Sequence, residues 1–78
     1  MKVEIITPEK SLFAGDAKLV QLPGIDGSFE IMNNHAPIIS TLSNGKVKVV
    51  EPNGNKLFFD IEGGMVEASD NNVSILAE

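Results

Sequence analysis

The sequence predicts an all-β chain: an antiparallel β-sandwich or flattened barrel of about nine to ten short strands. Three observations predict it. Gly and Pro recur at short intervals (Pro8, Gly15, Pro23, Gly24, Gly27, Pro37, Gly45, Pro52, Gly54, Gly63 and Gly64), which leaves almost no stretch for a three-turn helix. Apolar residues alternate with a period of two, the signature of half-buried strands. Between the alternating runs stand residues whose chemistry favours turns.

The elements follow in order, with strands expected at 2–6, 10–14, 16–22, 28–32, 38–43, 46–51, 56–62, 64–69 and 73–77. In the first, Val3 and Ile5 share a face. In the sixth, Val47 and Val49 alternate with Lys46 and Lys48. In the seventh, Leu57, Phe59 and Ile61 alternate with Lys56, Phe58 and Asp60, and in the last Val73 and Ile75 alternate with Ser74 and Leu76. Asn44-Gly45 and Asn53-Gly54 both read as hairpin turns, because Asn and Gly tolerate positive φ. Asp70-Asn71-Asn72 reads the same way before the final strand. Gly63-Gly64 predicts a bulge or a close backbone approach. Phe58-Phe59 and Ile75-Leu76 are apolar on both faces, which calls for a second covered surface besides the core.

Seventy-eight residues make one domain, 1–78, with one small core. There is no cysteine, so neither a disulfide framework nor a thiolate metal site is available. The formal net charge is −5, with six lysines and no arginine. That balance argues against a nucleic-acid partner and against docking on anionic lipid. A basic protein surface is the natural partner for such a chain. Lys2 and Glu4 interrupt the start too early for a signal-peptide core, and no apolar run approaches the roughly 20 residues needed to span a bilayer.

Residues 24–37 stand out: a Gly-flanked acidic turn (Gly24-Ile25-Asp26-Gly27), a short apolar strand, and a polar loop that ends in His35-Ala36-Pro37. The stretch has the form of a contact surface and lacks a catalytic set. His35 is the sole histidine and has no sequence partner that would make it a general base or a metal ligand. Asp60 and Glu62 share a strand face, yet nothing in the sequence sets them across a cleft as an acid pair. Asp26-Gly27 fits no calcium loop, and Gly63-Gly64 lacks the following helix and Lys-Ser/Thr of a phosphate cradle. Catalytic, cofactor-binding and metal-ligating residues are all expected to be absent. One alternative is a carrier of the lipoyl or biotinyl type, or another ligand-binding module. Carriers present their lysine in Asp-Lys-Ala or Met-Lys-Met at a mid-chain hairpin tip. Here the nearest triplet is Asp16-Ala17-Lys18, in the wrong order, and the mid-chain tip is Asn44-Gly45-Lys46.

Five segments together carry a family resemblance. They are Ile6-Thr7-Pro8-Glu9 with Leu12-Phe13-Ala14-Gly15, Leu22 through Phe29, Asn34-His35-Ala36-Pro37 with Ile38 through Leu42, Glu62-Gly63-Gly64-Met65-Val66-Glu67, and Val73 through Glu78. In this order and spacing, from residue 3 to residue 78, the chain resembles the N-terminal β-sandwich domain of the epsilon subunit of F-type ATP synthase.

The resemblance implies a non-catalytic rotor part of the central stalk, one subunit within a hetero-oligomeric complex. Its partners would be the gamma subunit and the polar loops of the membrane c-ring, with no membrane insertion of its own. It would sit peripherally at the cytoplasmic face of the bacterial inner membrane and help couple proton transport to ATP synthesis. The matching ring-facing positions would be Asp26, Gly27, Ser28, Phe29, Glu30, Ile31, Met32 and His35. Candidates for the gamma contact are Ile38, Ile39, Ser40, Thr41, Leu42 and Phe58. Two departures stand out. The family often has glycine where this chain has Glu30 and an acid near Ser28, so Glu30 is expected to take over the acidic contact from two positions away on the same strand face. Typical members continue into a two-helix C-terminal domain that can inhibit rotation; this sequence stops at Glu78, and the expectation is coupling without that brake.

Overall fold

The computed structural model describes residues 1–78 and contains nine strands and no helix. They are β1 (Lys2–Ile6), β2 (Ser11–Asp16), β3 (Leu19–Gly24), β4 (Gly27–Met32), β5 (Ile38–Leu42), β6 (Gly45–Val50), β7 (Lys56–Ile61), β8 (Gly64–Ser69) and β9 (Asn72–Ala77). The expected all-β sandwich is what the chain forms.

Two arms make up the sheet. One runs β2-β1-β9-β8-β5; the other runs β4-β3-β6-β7. They are joined where Gly24 lies opposite Leu42. Folding one arm over the other nearly closes a barrel. The far side is closed by Phe13 of β2 and Phe59 of β7, whose ring centroids are 5.8 Å apart and tilted at 55°.

Period-two alternation becomes burial in the strands that showed it best, except that Val50 of β6 is buried out of phase and Leu57 and Phe59 of β7 are only half-buried. Val3, Ile5, Val20, Leu22, Ile31, Val47, Val49, Val66 and Ile75 fill the interior, and no polar side chain is buried with them. The absence of buried polar groups means that no desolvation cost opposes the hydrophobic gain.

Three expectations need correction. The pairing is not wholly antiparallel: β1 runs parallel to β9, with Val3 opposite Val73 and Ile5 opposite Ile75. Parallel neighbours need a long connection, and here the rest of the chain provides it. Asn44-Gly45 is no hairpin. β5 pairs with β8 and β6 with β3, so residues 43–44 form a corner between the two arms. That corner is pinned by Ser43, whose amide and hydroxyl both donate to the Pro23 carbonyl, at 2.7 and 3.1 Å. The second and third strands lie further along the chain than expected, and β3 runs through Pro23 to Gly24. Proline fits because β3 changes partner there: Leu19 to Gln21 pair with β6, and Gly24 reaches β5.

The other turns follow their sequence. Asp70 and Asn71 take φ of 51° and 62° in the two-residue loop between Ser69 and Asn72, a type I′ arrangement matched to strand twist. Pro52-Asn53-Gly54 closes β6 on β7. Gly54 sits at φ 92° and its amide donates to the Glu51 carbonyl at 2.8 Å. Here the glycine alone of the Asn-Gly pair takes positive φ.

Candidate functional site

Residues 24–37 form the hairpin β3–β4 and the loop after it. Gly24 lies opposite Gly27, leaving Ile25-Asp26 as a two-residue tip. The Ile25 amide donates to the Thr41 carbonyl at 3.2 Å, which ties the tip to β5. β4 pairs only with β3, so its other edge is free.

Alternation along β4 sorts the expected ring-facing residues. Ser28, Glu30 and Met32 point outward and are exposed. Phe29 points inward and packs against the core, and Ile31 is fully buried. Ile31 therefore cannot be a contact residue: the same period that exposes Glu30 turns its neighbour inside. Asp26 and Gly27 lie at the hairpin tip, whereas His35 lies beyond the opposite end of β4. The loop with His35 is bonded internally. The His35 amide donates to the Met32 carbonyl at 3.2 Å, and its ring Nδ1 lies 2.7 Å from the Ala36 carbonyl oxygen, a contact that requires the proton on Nδ1.

The outer face of the β4-β3-β6-β7 arm forms a grid. Glu30 lies opposite Gln21, Gln21 opposite Lys48, and Lys48 opposite Phe58. Alongside runs the row Met32, Leu19, Val50 and Lys56. Lys46 bonds Asp60 at 2.7 Å, with both side chains largely in solvent. Asp60 is thus occupied by a lysine and does not form an acid pair with Glu62.

The gamma candidates are divided by the fold. Ile39 and Thr41 point outward from β5, Ile38 and Ser40 are half-buried, and Leu42 is buried. Leu42 is therefore a core residue and not a contact. Phe58, 57% exposed, lies on the other arm and cannot share a surface with Ile39. Register instead sets Ile39 opposite Glu67, with Met65 and Leu76, two residues that sequence reasoning did not assign, as its apolar neighbours. Thr41 lies opposite Met65 and Met65 opposite Leu76, with Ile6 the next neighbour across β1. Ile39, Met65 and Leu76 are 68%, 47% and 51% exposed. Next to them a shallow groove of about 570 Å³ runs along Ile6, Pro8, Thr41, Met65 and Leu76. Their signal was present in the sequence: Met65 and Leu76 are apolar residues at positions that alternation turns to solvent.

No three His, Cys, Asp or Glu residues come together in a way that could hold a metal ion, and no helix is long and apolar enough to cross a membrane. What the molecule offers is two unlike outer faces on one rigid block.

The family described as "ATP synthase, Delta/Epsilon chain, beta-sandwich domain" matches residues 1–78. The chain belongs to this family. Among its relatives, the ATP synthase epsilon chain of Chlorobium limicola is 42% identical over 77 residues, covering 99% of this chain and 88% of that one. The epsilon chain of Caulobacter vibrioides is also 42% identical, over 95% of this chain and 85% of its own. In the longer epsilon chain of Leptospira interrogans the match covers 61% of the relative. Epsilon chains are structural and regulatory components of ATP synthase, so this family member is not an enzyme by itself. Among solved structures, a chain of the Tetrahymena thermophila mitochondrial ATP synthase central stalk and c-ring aligns with a TM-score of 0.78 and 25% identity, over 99% of this chain and 62% of that one. A chain of the Euglena gracilis mitochondrial ATP synthase has the same fold, with a TM-score of 0.90 at 17% identity, over 96% of this chain and 48% of that one.

Proposed function

We propose that this epsilon-family chain is a central-stalk rotor subunit that links the gamma subunit to the c-ring and so helps couple proton transport to ATP synthesis. The observation that carries the reading is the presence of two chemically different outer faces on opposite arms. The face of Ile39, Met65 and Leu76, apolar apart from Glu67 and Ser74 beside them, suits a lasting contact with gamma. The outward residues of β4, with Glu30 between Ser28 and Met32, the hairpin tip at Asp26 and the loop at His35 suit basic polar loops on the c-ring. A block held by cross-strand bonds and short turns passes torque between two partners with little slack. On this reading the chain is peripheral, at the cytoplasmic face of the inner membrane, and one subunit of a hetero-oligomer.

The carrier alternative loses its support in the fold. Ile25-Asp26, Pro52-Asn53-Gly54 and Asp70-Asn71 form the tips of β3–β4, β6–β7 and β8–β9 without a lysine, and the β1–β2 turn, Thr7 to Lys10, sets its lysine in Glu9-Lys10-Ser11 and not in an Asp-Lys-Ala or Met-Lys-Met triplet.

Reconstitution tests the proposal. The chain should bind isolated gamma and, through gamma, increase retention of the c-ring on F1. Unchanged ATP-driven proton pumping by complexes assembled without the chain would overturn it.

A further inference from the structure

The loop after β4 opens with a four-residue turn, Met32 to His35, closed by the His35 amide on the Met32 carbonyl at 3.2 Å. Asn33 keeps a negative φ and Asn34 takes φ 63°. That is the pattern of a type II turn, whose second central residue lies in the left-handed region. Asn enters that region more readily than most residues. A type I turn would span the same ends with the peptide between Asn33 and Asn34 turned over and Asn34 back at negative φ. Nothing in Asn33-Asn34 itself forbids the second form.

A distant side chain selects the first. The turn's own bond uses the amide of its last residue, so the Asn34 amide has no partner within the turn, and turning the peptide over would aim it the opposite way. Here it donates to Asn71 Oδ1 at 2.8 Å, thirty-seven positions away. Asn71 is itself held in place. It sits at φ 62° in the two-residue loop of β8–β9, and its carbonyl accepts from the Lys2 amide at 3.0 Å. The acceptor is thus mounted on a hairpin end that is fastened to β1, and it reaches from there to the residue before His35.

We propose that Asn71 is a positioning residue for the His35 loop: its side-chain carbonyl holds the Asn33–Asn34 peptide in one orientation and fixes the loop to the β8–β9 end before the c-ring is met. The proposal rests on the reading of His35 as a ring-facing residue. A loop ordered in advance loses less freedom on binding. Any fraction of the chain with the loop held otherwise lowers the apparent affinity in proportion.

The test compares the starting chain with Asn71→Gly, Asn71→Asp and His35→Ala. Glycine keeps the positive φ and removes the acceptor; aspartate keeps an acceptor and tolerates the same φ. Asn71→Gly should speed amide hydrogen exchange at Asn34 by about two- to tenfold, the range expected for one neutral hydrogen bond. It should weaken the Overhauser contact between the Asn33 α-hydrogen and the Asn34 amide, which is strong in a type II turn and weak in type I. Retention of the c-ring on F1 should fall by about two- to tenfold, while exchange in the β6–β7 pair stays as it was. Asn71→Asp should restore all three. Unchanged exchange at Asn34 in Asn71→Gly would overturn the proposal, as would no recovery in Asn71→Asp. A uniform rise in exchange through every strand would do the same, by showing that Asn71 stabilises the fold as a whole. The underlying reading fails separately. Unchanged retention with His35→Ala would remove this loop from the ring contact and take the proposal with it. If His35→Ala weakens retention and Asn71→Gly does not, the ring reading stands and the positioning role falls.

Discussion

Glu30 and Phe58 occupy one register row, three strands apart, on the same outer face. Glu30 faces Gln21 across the β3–β4 pair, Gln21 faces Lys48, and Lys48 faces Phe58. At about 4.8 Å per strand the two lie roughly 14 Å apart. The face is therefore dipolar, acidic at its β4 edge and basic toward Lys48 and Lys56. Any partner that meets Glu30 flat on this face approaches Phe58 as well, and no partner reaches Phe58 and Ile39 through one surface.

Charge reversal at the acidic edge tests the ring contact. Glu30→Lys should weaken c-ring association at least several-fold, and the loss should shrink as salt is raised, because exposed charges are screened. Binding of Glu30→Lys equal to that of the starting chain, at low salt, would show Glu30 to be a solvated edge charge.

Gamma binding should follow the other arm. Leu76→Asp or Ile39→Asp is expected to reduce affinity for gamma by tenfold or more, about 1.4 kcal/mol or greater. Because both side chains point outward, melting temperature should change little. Phe58→Ala should leave gamma affinity as it was. Titration calorimetry with the three variants separates the two faces.

In the core the expected cost is large. Ile75 is fully buried and faces Ile5 across the parallel pair and Val66 across β8–β9. Ile75→Ala should destabilise the fold by about 2–5 kcal/mol. For a domain of this size that lowers the melting temperature by roughly 10 °C or more, measurable by calorimetry.

Gly64 allows a sharper test. It sits at φ 145°, and a Cβ there would overlap the Leu76 carbonyl oxygen on the neighbouring strand. Gly64→Ala has no flexible side chain to displace and should break the β8–β9 register or abolish folding, as read by circular dichroism. A well-folded Gly64→Ala variant would show that the backbone approach can relax.

The Lys46–Asp60 bridge should matter little despite its 2.7 Å length. Both side chains are exposed, so Asp60→Asn should cost less than about 1 kcal/mol in a denaturant titration.

Local residue patterns were enough for the fold class and most of its parts. Alternation of Val47 with Lys48, or Val73 with Ser74, states which side chain is inside, because a strand has only two faces. The turns at Asn53-Gly54 and Asp70-Asn71 were legible because their residues accept the backbone angles needed there. Within residues 24–37, which the sequence reads as a contact surface, alternation turns Ile31 inside and leaves Ser28, Glu30 and Met32 exposed. Tertiary structure alone decided which strands are neighbours. Nothing local in Asn44-Gly45 distinguishes a corner from a hairpin; the difference lies in Ser43 bonding Pro23, a residue twenty positions away. Nothing local places Met65 between Thr41 and Leu76, or sets Phe58 on the arm opposite Ile39. Side-chain direction is a property of one strand and its period, whereas a surface is made by pairing between distant segments, which only the closed sheet specifies.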